Sequence, residues 1–110
     1  MFREITDEGE LRELIKKETA VLVLFSSRNC QVCHALKPRL REMIAQSFPL
    51  ITMVPVETEQ IPVLAAENRV FTVPVVLVFF GGREFIRKTG SFSLAELHSE
   101  IDRLYQLMLS

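Results

Sequence analysis

Two runs of apolar residues constrain the fold of this chain most strongly. Residues 21–25 read VLVLF, and residues 75–80 read VVLVFF. Neither run alternates apolar with polar residues, as a strand with one solvent-exposed face would. Each run is far too short for a membrane-spanning helix. We therefore expect residues 21–25 to be a buried strand and residues 75–80 to be a central strand that is covered on both faces.

Periodicity and capping signals predict the other elements around these two strands. The first half is predicted to begin with a short edge strand over residues 2–5 and a helix that residues 16–18 close. Asp7 caps this helix, with Glu10 as its capping-box partner. The strand over residues 20–25 and a helix over residues 31–46, with Pro38 inside it, follow. The second half is predicted to begin with a strand over residues 50–56, with Pro55 at its end or edge, and a short helix over residues 63–68 that Pro62 opens. The strand over residues 75–80 is followed by a Gly81-Gly82 turn and a strand over residues 83–88. Ser93 and Glu96 cap the last helix.

Helical spacing also predicts which side chains the two long helices bury. The expected buried residues are Val32, Ala35, Leu36, Leu40, Met43 and Ile44 in the helix after the cysteines, and Leu94, Leu97, Ile101, Leu104 and Met108 in the last helix. The order of elements predicts an α/β fold with a central mixed β-sheet and helices on both faces. We expect residues 1–110 to form one domain.

Composition and charge narrow the classes of function. Of the 110 residues, 48% are hydrophobic and 25% are charged, which is ordinary for a chain that buries its own core. Thirteen basic and fourteen acidic residues give a net charge of −1, which disfavours a general nucleic-acid binder. No apolar run is long enough to cross a bilayer, and residues 1–8 contain no apolar signal segment. We therefore expect a cytoplasmic protein without membrane contact.

Cys30 and Cys33 are the only cysteines, and they follow the first apolar strand at the predicted start of a helix. The first turn of a helix has unpaired N–H groups and a partial positive charge, which stabilise a thiolate there. A thiolate is the nucleophile in disulfide exchange, and a second cysteine one turn later can attack the mixed disulfide that the first one forms. In a reducing compartment we expect such a pair to be catalytic or metal-binding rather than a structural staple.

Other uses of the cysteine pair stay open from the residues alone. Cys30, Cys33 and His34 offer three metal ligands, but the fourth ligand of a tetrahedral site would have to come from a second molecule. The Cys-x-x-Cys-His spacing is also the pattern of covalent haem attachment, although the α/β setting and the lack of an export signal argue against it. His34 is either a solvated helix residue or an imidazolium that favours a nearby thiolate. The other histidine, His98, is expected on the exposed side of the last helix.

The chain resembles the thioredoxin family over nearly its whole length, without a gap over residues 21–90. The residues that match the family are the redox cysteines Cys30 and Cys33, the kink proline Pro38, the helix-opening proline Pro62, Val73 and Pro74 of the cis-proline loop, and Gly82 and Gly90 around the last hairpin. The resemblance implies a thioredoxin-like three-layer fold in which the cis-proline loop faces the redox pair.

Several residues depart from the pattern of that family. The residues between the cysteines are Gln-Val, where the family typically has Gly-Pro, and Ser26 stands where a tryptophan is usual. Leu24 replaces a typical buried aspartate, and Pro55 replaces the lysine that usually pairs with it. In the family that carboxylate is thought to take the proton from the second cysteine. The resemblance therefore implies a slow resolving step in this chain.

The predicted activity is thiol–disulfide exchange on protein disulfides. Cys30 is expected to be the nucleophile because it should lie nearer solvent at the helix start, and Cys33 is expected to be the resolving thiol. The resemblance implies that the backbone of Val73, before Pro74, pairs with an extended substrate chain.

Cofactors and partners follow from this chemistry. The exchange needs no metal, nucleotide or flavin on this chain, so a flavin-dependent reductase or glutathione is expected to supply the electrons, and we expect a monomer. Arg28 and His34 are candidate modulators because their charges lie near the nucleophile, whereas Phe71, Phe79, Phe80 and Phe85 are expected to serve packing. The alternative is a redox-inactive or redox-sensing adaptor that holds a protein partner with residues 26–29 and 69–74.

Overall fold

The secondary structure confirms eight of the nine predicted elements, with bounds that shift by a residue at most. The computed structural model describes residues 1–109. Its elements are α1 (Glu8–Lys17), β1 (Ala20–Ser26), α2 (Gln31–Ser47), β2 (Ile51–Glu57), α3 (Pro62–Glu67), β3 (Val75–Phe80), β4 (Arg83–Thr89) and α4 (Leu94–Leu109). Pro38 lies inside α2, and Pro62 is the first residue of α3.

The strands form one mixed sheet in the order β2-β1-β3-β4. β1 pairs with β2 in parallel and with β3 antiparallel, and β3 pairs with β4 antiparallel. The two all-apolar runs are therefore the two central strands, and every residue of β3 is buried. Pro55 lies on the edge strand β2, where its missing N–H leaves no gap in the sheet.

Helices cover both faces of the sheet, as the apolar runs predict. Leu22 and Leu24 of β1 belong to one core cluster with Leu40 and Ile44 of α2 and with Leu97 and Ile101 of α4. Val21, Val23 and Phe25 point the other way, into a second cluster with Leu11 and Leu14 of α1 and Leu64 of α3. Side chains alternate along a strand, so every other residue of β1 and β2 faces α2.

The predicted N-terminal strand is wrong. Within residues 2–5 the structure contains only a single parallel bridge, between Phe2 and Met53. The Met53 N–H donates to the Met1 carbonyl oxygen at 2.6 Å, and the Arg3 N–H donates to the Met53 carbonyl oxygen at 2.8 Å. The pairing stops there because Thr6 and Asp7, a few residues later, already bind the first turn of α1.

The start of α1 differs from the predicted capping box in one bond. Asp7 is the N-cap, and its carboxylate accepts from the Glu10 N–H at 3.0 Å, as predicted. The Glu10 carboxylate reaches back to the N–H and hydroxyl of Thr6 instead of to the Asp7 N–H. The hydrogen bond from the Thr6 hydroxyl lowers the pKa of Glu10 from its ordinary value.

Some residues that helical spacing predicts to be buried are exposed. Val32 is 53% exposed, and Ala35 and Met108 are exposed as well, because Cys33 and Leu40 take the inward positions on α2 and Leu97 and Ile101 take them on α4. The prediction for His98 is also wrong. Its ring packs against Phe48 with a centroid distance of 4.9 Å. Within residues 1–109, no helix has both the length and the apolar character to cross a membrane.

Candidate active site

The two cysteines lie where β1 ends and α2 begins. Cys30 is the N-cap residue of α2, and Cys33 lies in its first turn. Their side chains form a disulfide with Cα atoms 5.3 Å apart, and the Cys33 N–H points at the Cys30 Sγ over 3.2 Å. Cys33 is only 3% exposed, whereas Cys30 is partly exposed. The helix start therefore presents one accessible sulfur and keeps the other buried.

Two side chains hold the loop that precedes Cys30, and both bind the backbone of Arg28. The Arg28 N–H donates to Glu59 Oε2 at 2.9 Å, and this hydrogen bond lowers the pKa of Glu59 from its ordinary value. His34 Nε2 donates to the Arg28 carbonyl oxygen at 2.8 Å, because a carbonyl can only accept. His34 and Glu59 thus fix the path of the chain into the cysteine pair, while Arg28 itself is exposed.

The Val73–Pro74 loop lies at the same end of the sheet as the cysteines. The peptide bond between these two residues is cis. The Gly90 N–H donates to the Pro74 carbonyl oxygen at 2.9 Å, and Val75, the next residue, pairs with Phe25 near the end of β1. Because β1 and β3 are antiparallel, the start of β3 meets the end of β1, and the two loops are neighbours.

Apolar surface is exposed at the start of α2, on the loop before α4 and on the segment before Val73. An open groove of about 570 Å³ separates the start of α2 from the loop before α4, and Val32, Leu36, Gly90 and Phe92 are among the residues that line it. Phe71, two residues before Val73, is 86% exposed. An exposed phenyl ring beside a reactive centre is a candidate contact for an apolar side chain of a substrate.

Glu57 and Glu59 belong to this region and are absent from the predicted site residues, whereas Phe71 lies within residues 69–74, the predicted partner-binding segment of the adaptor alternative. A packing role was predicted for Phe71, but its exposure shows that it does not pack, whereas Phe79 and Phe80 are buried as predicted. Acidic residues directly after a parallel strand are a usable signal, because the carboxyl ends of such strands gather functional side chains.

The metal-binding alternative has no counterpart in the described chain. Across residues 1–109, no three His, Cys, Asp or Glu side chains are grouped so that they could hold a metal ion. The two cysteines are bonded to each other, and the His34 ring is bonded to the Arg28 carbonyl oxygen.

Comparison with known proteins agrees with this geometry. The family model described as Thioredoxin matches residues 3–103. The Thioredoxin-like protein YdfQ of Bacillus subtilis is 33% identical over 97 residues, which cover 88% of this chain and 86% of that protein. The Bifunctional thioredoxin reductase/thioredoxin of Mycobacterium leprae is 27% identical over 94 residues, which cover 86% of this chain and 20% of that protein. Thioredoxin from Trypanosoma brucei brucei has the same fold, with a TM-score of 0.85 at 16% identity over 96% of this chain and 92% of that chain.

Proposed function

The chain belongs to the thioredoxin family and is a thiol–disulfide oxidoreductase, and on this premise we propose that Cys30 is its nucleophile and Cys33 its resolving thiol. The observation that carries the assignment is the difference in exposure between the two sulfurs, since Cys33 is buried and Cys30 is not. The N-terminal end of α2 and the Cys33 N–H that points at Cys30 Sγ both favour a thiolate on Cys30 after reduction.

The proposed reaction moves two electrons to a substrate disulfide. The Cys30 thiolate attacks one sulfur of that disulfide, forms a mixed disulfide and expels the other substrate sulfur as a thiolate. Cys33 then loses its proton and attacks Cys30 Sγ, which releases the second substrate thiolate and leaves the Cys30–Cys33 disulfide. The two released thiolates take up protons, so the substrate is reduced and this chain is oxidised.

We assign the substrate backbone to Val73. Within residues 1–109, no hydrogen bond engages the N–H or the carbonyl group of this residue. A peptide segment with free N–H and C=O groups beside the Cys30–Cys33 end of the sheet can pair with an extended substrate chain as a short strand does.

The electron donor is proposed to be a flavin-dependent thioredoxin reductase or glutathione. Support for a reductase comes from the Mycobacterium leprae relative, whose name joins thioredoxin reductase and thioredoxin in one protein. Support for an anionic thiol such as glutathione comes from an open cavity beside Cys30, which is lined by Arg28, Asn29, Gln31, His34 and Ala35 and contains no acidic residue. We further propose that the chain acts as one domain and as a monomer, in the cytoplasm, where reducing conditions regenerate Cys30 and Cys33.

Reduction of insulin with dithiothreitol as electron donor tests the proposal. Catalytic amounts of the protein should accelerate precipitation of the insulin B chain, and Cys30→Ser should abolish the acceleration. An adaptor without turnover would leave the reaction at its background rate. Cys33→Ser should instead accumulate a mixed disulfide on Cys30, visible on non-reducing gels and lost with dithiothreitol. If the adducts form through Cys33 in the Cys30→Ser protein, the two roles are reversed.

A further inference from the structure

Glu57 is a partly buried acid at the end of β2 that the reaction described above does not use. It is the last residue of β2, and its register partner on β1 is Ser26. Leu24 and Pro55 are paired two residues earlier along the same strands, and Leu24 belongs to the core cluster of α2. Because side chains alternate along a strand, the Glu57 side chain lies on the face that α2 covers.

One oxygen of this carboxyl group is buried without a partner. Glu57 Oε2 is inaccessible to solvent and accepts no hydrogen bond from any group in residues 1–109. Burial of a polar oxygen without a partner costs free energy, and a catalytic role is one of the reasons for which native proteins keep such a group. The register partner of Glu57 on β1, Ser26, has a small side chain.

Cys33 lies on the same face and at the same end of the sheet. On α2 it forms one inward-facing row with Leu40 and Ile44, which belong to the core cluster on this face of the sheet. α2 starts from the carboxyl end of β1, so its first turn, which contains Cys33, stands over the end of the sheet where Glu57 lies. Cys33 is the more deeply buried of the two cysteines.

The histidine and the other acid at this end, His34 and Glu59, are already engaged. His34 is exposed, and its Nε2 is bound to the Arg28 carbonyl oxygen. Glu59 is exposed as well, and its Oε2 is bound to the Arg28 N–H. Glu57 Oε2 is the acidic oxygen in this part of the described chain that is both buried and unpartnered.

From this arrangement we propose that the Glu57 carboxylate accepts the proton of Cys33 in the resolving step. The inference rests on the proposed role of Cys33 as resolving thiol. The proton moves from Cys33 Sγ to Glu57 Oε2, directly or through one bridging water, and the resulting thiolate attacks Cys30 Sγ. The Cys30–substrate bond breaks, the Cys30–Cys33 bond forms, and the departing substrate thiolate takes up a proton. Leu24 and Pro55, which replace the typical aspartate and lysine of the family, predict a slow resolving step. With Glu57 as the base, that prediction would apply only to a chain that lacks Glu57.

Stopped-flow reaction of the reduced protein with the aromatic disulfide dithiobis-nitrobenzoate tests the proposal, because it separates the two steps. Attack by Cys30 releases the first coloured thiolate, and resolution by Cys33 releases the second. In Glu57→Gln we expect the first phase to be unchanged and the second to slow by roughly 100-fold at neutral pH, the lower end of what a positioned base contributes. The rate of the second phase should then rise about tenfold per pH unit, because only spontaneously ionised Cys33 reacts.

The matched control is Glu42→Gln, which removes an exposed carboxylate on α2 outside the site, while the amide oxygen can still accept from Gln46. Its second phase should keep the wild-type rate. The inference is overturned if Glu57→Gln resolves like the wild type, or if both glutamine variants slow the second phase equally. A structural role of Glu57 would leave the pH slope of the second phase unchanged, which also overturns it. If the wild type releases no first thiolate, the proposed function itself fails, and the inference fails with it.

Discussion

Leu24 marks the place where the family typically has a buried acid, and its replacement by aspartate has a calculable effect on stability. The side chain is 0% exposed in the central strand β1, between Pro55 on one neighbouring strand and Val76 on the other. Loss of the buried leucine costs about 2 kcal/mol. The buried polar group without a partner costs about 1–3 kcal/mol more. Leu24→Asn carries both costs without a charge, so it is the matched control for Leu24→Asp.

The charge adds a pH-dependent cost to Leu24→Asp. Burial among apolar side chains, together with the Glu57 carboxyl group on the same face, disfavours ionisation of the introduced carboxyl group and raises its pKa in the folded state. The folded protein then binds more protons than the unfolded chain, so stability falls as the pH rises above the unfolded value of about 4. The loss grows by about 1.4 kcal/mol per pH unit until the folded pKa is reached. If ionisation stays suppressed, it amounts to about 4 kcal/mol at pH 7.

Urea unfolding of the wild type, Leu24→Asp and Leu24→Asn, all with the Cys30–Cys33 disulfide closed, measures this cost. At about pH 4 the two variants should have equal free energies of unfolding, each about 3–5 kcal/mol below the wild type. Their difference should widen with the predicted slope as the pH rises to 6 or so. A difference that stays constant with pH would refute the reasoning, because it would mean that the introduced carboxyl group reaches solvent in the folded protein.

Three further predictions concern the site. In the reduced protein, limiting iodoacetamide should alkylate Cys30 before Cys33, as mass spectrometry of the peptides will show, and preferential labelling of Cys33 would reverse the assigned roles. Phe71→Ala should lower kcat/KM for peptide disulfides with apolar flanking residues by roughly tenfold, the effect of losing about half a buried phenyl ring. Tm should stay unchanged because the ring is 86% exposed. An equal loss of kcat/KM with a small aromatic disulfide would contradict this prediction. The hydrogen bond from the Arg28 N–H lowers the pKa of Glu59 from its ordinary value, so the NMR resonance of that N–H should shift as the pH falls through the lowered pKa, and Glu59→Gln should abolish the shift.

The burial of β1 and β3 and the position of the cysteines at a helix start were predictable because their causes are local in sequence. Continuous apolar runs require burial on both faces, which predicted a buried strand at β1 and a central strand at β3, and both strands are central in the sheet. The turn at Gly81 and Gly82 follows from the positive φ angles of +58° and +82° that glycine adopts readily. Cys30 was predictable as a helix-start residue because the periodicity changes from strand to helix around it.

The exposure of side chains near the ends of α2 and α4 was not predictable in the same way. Val32 and Met108 follow the helical spacing, yet both are exposed, because a helix that crosses a sheet contacts it over only part of its length. The N-terminal segment has strand-like composition, but it forms a single bridge at Phe2 since the chain must turn to begin α1.

The sequence by itself determined the redox pair and its helix-start position, because both depend on residues within a few positions of one another. It also determined the fold class, through the order of strands and helices along the chain. Only the tertiary structure decided which groups surround that pair. Glu57 is the last residue of β2 and Glu59 follows two residues later, yet Glu57 has a buried oxygen without a partner, whereas Glu59 is exposed and binds the Arg28 N–H. The difference arises because β2 pairs with β1 in a register that sets Glu57 opposite Ser26 on the face that α2 covers. Burial and partnering of a side chain depend on elements distant in sequence, and no local pattern encodes them.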